Sequence, residues 1–69
     1  MSIKDKIIEL GGKGIAVGPT KLYASGFLTK EKAQEFIDWL QDNYKVNSLS
    51  RPIRMMSGKY DVGYDVIKI

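Results

Sequence analysis

Residues 49–66, with the sequence LSRPIRMMSGKYDVGYDV, decide the fold because two alternating apolar and polar runs flank Ser57 and Gly58. Serine and glycine at the centre predict a two-residue hairpin loop, which places Met56 opposite Lys59. Because side chains alternate between the two faces of a strand, this one pair fixes every pair that follows. The stretch therefore predicts an antiparallel hairpin with a defined register.

That register sorts the side chains of the hairpin onto an apolar and a polar face. The apolar face receives Met55 with Tyr60, Ile53 with Val62, Arg51 with Tyr64, and Leu49 with Val66. The polar face receives Met56 with Lys59, Arg54 with Asp61, Pro52 with Gly63, and Ser50 with Asp65. Proline cannot donate to a strand ladder, so we expect Pro52 on an edge strand.

The first part of the chain predicts a helix, a hairpin and a second helix. Ser2 is a helix N-cap, and Gly11 ends the short helix that follows. Residues 14–28, GIAVGPTKLYASGFL, contain two short apolar runs around a glycine-proline turn. Thr29 caps the second helix. The apolar stripe of that helix comprises Ala33, Phe36, Ile37, Leu40 and Tyr44.

These segments predict one α+β domain spanning residues 1–69, in the order α-β-β-α-β-β. We expect an antiparallel sheet with both helices packed on one face. The composition, 43% hydrophobic and 28% charged, is that of a globular chain. A chain of 69 residues has a small core, so a homodimer that enlarges it is a further option.

Histidine and cysteine are both absent from the chain. Their absence removes the commonest general base, nucleophile and transition-metal ligands, so the sequence predicts a protein that is not an enzyme. Residues 9–14, ELGGKG, lack the spacing and ending of a phosphate-binding loop. We therefore expect no cofactor and no metal.

The N-terminal sequence contains no signal-peptide core, and no apolar run is long enough to span a membrane. A chain of this size without disulfides fits a reducing compartment best. The sequence therefore predicts a cytoplasmic protein that does not insert into a membrane.

The net charge of +3 is unevenly distributed along the chain. Residues 43–60 contain four basic residues and no acidic one. The second helix has the opposite character, because four acidic residues are expected on its solvent face: Glu31, Glu35, Asp38 and Asp42. The solvated row of acids on one helix does not form an oxygen cage for a cation.

The first functional hypothesis is a nucleic-acid-binding module that uses a basic sheet face and hairpin over residues 45–59. Its basic side chains would contact phosphates while a tyrosine stacks on a base. The candidate residues are Lys45, Arg51, Arg54, Lys59 and Tyr64. Pairing of Arg54 with Asp61 across the strands would reduce its availability for phosphate.

The alternative hypothesis is a protein-binding module, such as a small inhibitor or adaptor of the sort that phages encode. It would use Trp39 with the acidic residues Glu35, Asp38 and Asp42, or pair through the edge strand at Pro52. Helical spacing turns Trp39 away from the apolar stripe, so it is expected to be half exposed, either as an interface anchor or packed under the protein's own chain.

Residues 26–37, GFLTKEKAQEFI, resemble the strand-to-helix junction of the small arm-type DNA-binding domains of phage integrases. In that family the pattern is G-F-x-T-K-x-E-A, whereas here Glu31 precedes Ala33 by two residues. The family also has a three-stranded sheet ahead of the helix. The resemblance implies binding to nucleic acid and assigns no role to a particular residue.

Overall fold

The computed structural model describes residues 2–67 and contains two helices and a five-stranded antiparallel sheet. The elements, in chain order, are α1 (Ile3–Glu9), β1 (Gly14–Val17), β2 (Leu22–Phe27), α2 (Lys30–Asn43), β3 (Val46–Leu49), β4 (Ile53–Arg54) and β5 (Tyr60–Val66). The spatial order is β1-β2-β5-β3, and β4 also pairs with β5. The predicted α+β class is confirmed. The structure has five strands where the sequence predicted four, because the first strand of the second hairpin is divided into β3 and β4.

Both helices begin at the predicted N-caps. The hydroxyl of Ser2 accepts from the backbone N–H of Asp5, whose carboxylate accepts in return from the N–H of Ser2. The hydroxyl of Thr29 accepts from the N–H of Lys32 at the start of α2. These bonds satisfy backbone donors that a helix leaves free in its first turn. After α1, Gly11 adopts a φ of +86°, which glycine reaches without a Cβ penalty.

The core combines side chains of both helices with alternate residues of the central strands β2 and β5. It consists of Ile7, Leu10, Ala24, Phe27, Ala33, Phe36, Ile37, Leu40, Val62 and Tyr64. In the sheet, Ala24 lies opposite Val62, and Leu22 lies opposite Tyr64. Because these residues recur with a period of two, the residues between them point to the other face of the sheet. We call that face the outer face.

The predicted register of the second hairpin is wrong by one residue at its tip. Tyr60 lies opposite Arg54 and not Met55. The N–H of Met55 donates to the carbonyl oxygen of Lys59 at 2.8 Å, and the N–H of Gly58 donates to that of Met55 at 2.9 Å. The loop therefore contains three residues, in the arrangement of a turn followed by a left-handed glycine.

The loop chemistry explains this difference. A two-residue loop of the predicted kind needs a positive φ at Ser57 as well as at Gly58. In the described part of the chain only glycines have a positive φ, and Gly58 has a φ of +85°. The hairpin thus uses one left-handed residue instead of two, and the longer loop shifts the strand by one position.

The edge strand changes register again between β3 and β4. Leu49 lies opposite Tyr64, which belongs to the core, whereas Ile53 lies opposite Asp61. The intervening residues contain one position too many for continuous alternation, so Ile53 is turned to the outer face. The prediction that Ile53 pairs with Val62 on the apolar face is therefore wrong.

Candidate functional site

The outer face of the sheet carries a shallow apolar trough. Its lining residues come from four strands and from the position directly before the hairpin loop: Ala16, Tyr23, Ile53, Met55 and Asp61. The trough encloses about 350 Å³. Ile53 is 40% exposed and Met55 is 42% exposed, so both present apolar surface to solvent. At the hairpin tip next to them, the side chain of Met56 is fully exposed.

Tyr23 forms the floor of this trough. It lies opposite Ala16 on one side and Gly63 on the other. A Cβ atom on Gly63 would stand 2.9 Å from Cε1 of Tyr23, and a Cβ atom on Gly18 would meet Cε2 of the same ring. The ring therefore lies flat between two glycines. The sequence alone did not determine which way Tyr23 faces, because the pairing of β2 with β5, which brings Gly63 beside its ring, joins residues 40 positions apart in the chain.

Asp61 is held in the trough by a hydrogen bond to the neighbouring strand. Its Oδ1 atom accepts from the backbone N–H of Gly26 at 3.2 Å. Gly26 lies in an irregularity of β2, between Ala24 and Phe27, and has a φ of +85°. The carboxylate thus accepts a hydrogen bond from the N–H of Gly26, which the bulge in β2 leaves without a backbone partner in the sheet. The predicted cross-strand pairing of Asp61 with Arg54 is wrong, since Ile53 occupies the position opposite Asp61.

Ser50 stabilises the break in the edge strand. Its backbone N–H donates to the carbonyl oxygen of Gly63, and its hydroxyl accepts from the N–H of Gly63, each at 2.8 Å. The hydroxyl also donates to the carbonyl oxygen of Arg51 at 2.9 Å. One serine therefore replaces the ladder contacts that the strand loses where its register changes.

The predicted basic residues lie along one edge of the sheet, and of Arg54 and Lys59 only Lys59, which lies opposite Met55, has a position on the outer face. We call this set the basic edge: Lys45, Arg51, Arg54 and Lys59. Lys45 precedes β3, Arg51 lies between β3 and β4, and Lys59 closes the hairpin loop opposite Met55. Arg54 lies opposite Tyr60, on the core side of the edge, so the predicted outer position of Arg54 is wrong. Within residues 2–67, the salt bridges join Lys6 to Glu9 and Lys32 to Glu35, and none involves the basic edge.

Tyr64 is buried in the core and is not accessible for stacking on a base. Its ring packs edge-on against Phe36, with ring centroids 5.7 Å apart. The hydroxyl is buried without a hydrogen-bond partner. Burial raises the pKa of the Tyr64 hydroxyl, and the neighbouring Tyr44 raises this pKa further. Tyr64 is therefore a core residue, which corrects its predicted place among the nucleic-acid contacts.

Trp39 is half-buried against the protein's own side chains. Its ring centroid lies 6.2 Å from that of Phe36 and 5.6 Å from that of Tyr44. The Nζ atom of Lys6 lies 5.9 Å from the ring centroid, at cation–π distance. Trp39 thus joins α1 to α2.

The acidic residues predicted to accompany Trp39 lie on the exposed side of α2. Glu35, Asp38 and Asp42 are all exposed. Asp38 accepts from the amide of Gln34 at 3.1 Å, and Glu35 lies 4.0 Å from the ammonium group of Lys32. In the described part of the chain, no three acidic, histidine or cysteine side chains are grouped to hold a metal ion. Neither helix of residues 2–67 has the length and apolar character needed to cross a membrane.

No protein-family model matches the sequence, and neither the curated proteins nor the solved structures give a significant match. The functional argument therefore rests on the trough, the basic edge and their chemistry.

Proposed function

We propose that this protein is a non-catalytic protein-binding module, and that the trough of the outer face receives an apolar side chain of its partner. We infer that both helices pack on the core side of the sheet, which leaves the outer face uncovered. The absence of cysteine supports a reducing, cytoplasmic setting for this module.

The observation that carries the proposal is the placement of Ile53. The register change between β3 and β4 turns this isoleucine out of the core and sets it beside Met55 and Tyr23. A contiguous apolar surface on a small protein is typical of an interaction site. The unbranched methionines add adaptability, since a thioether side chain can adjust to the shape of a partner.

The basic edge indicates the charge of that partner. Lys45, Arg51, Arg54 and Lys59 border the strands that form one side of the trough, and no acid of residues 2–67 forms a salt bridge with them. A partner with an apolar anchor flanked by acidic residues complements this arrangement. Such charges at the rim accelerate association and align the two proteins.

Nucleic acid is the second candidate, favoured by the run of four basic residues without an acidic one over residues 43–60. Two observations weigh against it. Tyr64 is buried and cannot stack. The charged side chains that alternate with the core residues of β5 are Asp61 and Asp65, which repel phosphate on the outer face.

The experiment compares variants of the trough with variants of the basic edge. Ile53→Asp places a charge in the trough and should abolish capture of the partner from nuclease-treated native lysate. Leu28→Asp is the matched control, because Leu28 is 63% exposed in the connection between β2 and α2 and lies outside the trough. It should retain capture.

A nucleic-acid arm separates the two candidates. Binding of short single- and double-stranded DNA and RNA is measured by fluorescence anisotropy at low salt. Replacing Lys45, Arg54 and Lys59 with glutamine should abolish any such binding by removing phosphate contacts. Tight binding that depends on these three residues and is unaffected by Ile53→Asp would contradict the protein-binding proposal.

A further inference from the structure

Strand β1 forms an uncovered edge of the sheet. It lies at the end of the strand order and pairs only with β2 among the strands of residues 2–67. Its sequence, GIAV, contains no charge and no proline. Such an edge normally carries devices that prevent pairing with another strand. The opposite edge has them, because it is divided into two short strands with Pro52 and exposed arginines at the break.

The hydrogen bonds of the first hairpin determine which groups of β1 face outward. The N–H of Gly18 donates to the carbonyl oxygen of Lys21 at 2.8 Å, so the backbone of Gly18 is directed toward β2. Inward and outward groups alternate along an antiparallel strand, so Ala16 is also directed toward β2. The N–H and C=O groups of Ile15 and Val17 consequently point away from the sheet.

We propose that two copies of this chain pair through β1 as antiparallel strands, with Ala16 of each copy on a two-fold axis. Ile15 of each copy then lies opposite Val17 of the other. These two residues offer two donors and two acceptors per copy, so four intermolecular hydrogen bonds close the pair. The same surface serves both copies, which is the condition for a closed two-fold dimer.

The side chains of β1 are consistent with this register. Ile15 lies opposite Ala24, and Val17 lies opposite Leu22, so both belong to the core side of the sheet. Val17 is nevertheless 82% exposed and Ile15 is 40% exposed. In the dimer each covers the other across the axis. Lys13 of one copy lies opposite Pro19 of the other, so the pairing brings no lysines together.

The dimer extends the sheet and the outer face at once. Ala16 lines the trough, and its side chain is on the outer face. Two Ala16 residues that meet on the axis therefore bring the two troughs together on one continuous surface. This inference does not depend on the proposed function, since β1 would pair in the same way whatever the trough binds.

Sedimentation equilibrium over micromolar to millimolar protein concentrations tests the dimer. We expect reversible dimerisation of the natural chain. Val17→Pro removes an outward N–H and leaves the bonds between β1 and β2 intact, so it should weaken association at least about tenfold. Val17→Thr is the matched control, because it keeps the N–H and the branched shape and should still dimerise.

Circular dichroism is used to check that Val17→Pro is folded. A natural chain that stays monomeric at millimolar concentration would overturn the proposal, and so would a folded Val17→Pro variant that dimerises normally. Isotope-filtered NOE spectra of a mixed labelled sample provide a measurement that needs no variant. The Hα atoms of two Ala16 residues are close in this register, since their Cα atoms are about 4.5 Å apart. A dimer without this NOE has another interface and refutes the register.

Discussion

The ring of Tyr23 lies across the bare backbone of Gly63, and a Cβ atom at position 63 would stand 2.9 Å from its Cε1 atom. We therefore predict that Gly63→Ala destabilises the protein by about 1–3 kcal/mol, because the ring must move out of a packed position. Urea unfolding measures the change. In the background of Tyr23→Ala, the same substitution should cost almost nothing, and an equal cost in both backgrounds would exclude the ring as the cause.

Asp61 provides a second test of the outer face. Asp61→Ala leaves the N–H of Gly26 without its side-chain acceptor and should lower the free energy of unfolding by about 1–2 kcal/mol. Asp61→Asn keeps a carbonyl oxygen in place and should lose less than half of that amount. Asp65→Ala is the control, because its hydrogen bond to Asn47 is exposed, and its effect should stay within about 0.5 kcal/mol. Thermal or urea melts of the three variants would rank them differently if Asp61 were not needed at the bulge.

The buried hydroxyl of Tyr64 predicts a pH dependence. Burial raises the pKa of this hydroxyl in the folded state, so the folded protein keeps a proton that an unfolded tyrosine releases above about pH 10. The stability associated with the protonated Tyr64 hydroxyl is therefore fully present below its pKa in the unfolded state. It is lost as the pH rises through its higher pKa in the folded state. We expect Tyr64→Phe to reduce the alkaline loss of stability.

At neutral pH, the free energy of unfolding of Tyr64→Phe should equal that of the natural chain or exceed it by up to about 1 kcal/mol, because the substitution removes a buried hydroxyl without a partner. Urea unfolding at neutral and alkaline pH measures both effects. Tyr60→Phe leaves Tyr64 in place and should show the alkaline loss of the natural chain. A strongly destabilised Tyr64→Phe variant at neutral pH would mean that the hydroxyl has an essential partner.

We expect Trp39 to stabilise the fold and not to contact the partner. Trp39→Ala removes contacts to Phe36, Tyr44 and Lys6 and should cost about 2–3 kcal/mol, less than a fully buried aromatic. Trp39→Phe should recover part of this loss. Partner capture by folded Trp39→Ala should equal that of the natural chain, whereas a selective loss of capture would identify Trp39 as an interface residue.

The sequence predicted the helices well because their signals are local. Ser2 and Thr29 cap their helices through bonds to residues three positions away, which a pattern of residue types captures. The apolar stripe of α2 also entered the core at Ala33, Phe36, Ile37 and Leu40. Tyr44, the last member of that stripe, is only partly buried where the helix ends.

The hairpin register could not be obtained from the same kind of pattern. The choice between a two-residue and a three-residue loop depends on the backbone of Ser57, because the shorter loop needs a positive φ at this serine, and the alternation of apolar and polar residues does not report that angle. The error at the loop then propagated along the strand, since a shift of one residue exchanges the two faces. The apolar and polar pattern also did not predict the extra residue near Ser50, where the register changes between β3 and β4. The outer trough, which depends on both features, was therefore missed.

The break at Ser50 has a consequence for engineering. On one side of the break, Leu49 packs against the core opposite Tyr64. On the other side, Ile53 lies on the outer face and is exposed to solvent. The two hydrogen bonds between Ser50 and Gly63 fix the junction, so we expect that residues 51–59, apart from the left-handed Gly58, can change in sequence without altering how β3 meets the core. The trough residues of the hairpin can therefore be varied while the rest of the sheet is unchanged. Libraries confined to this segment would yield variants with new binding specificities.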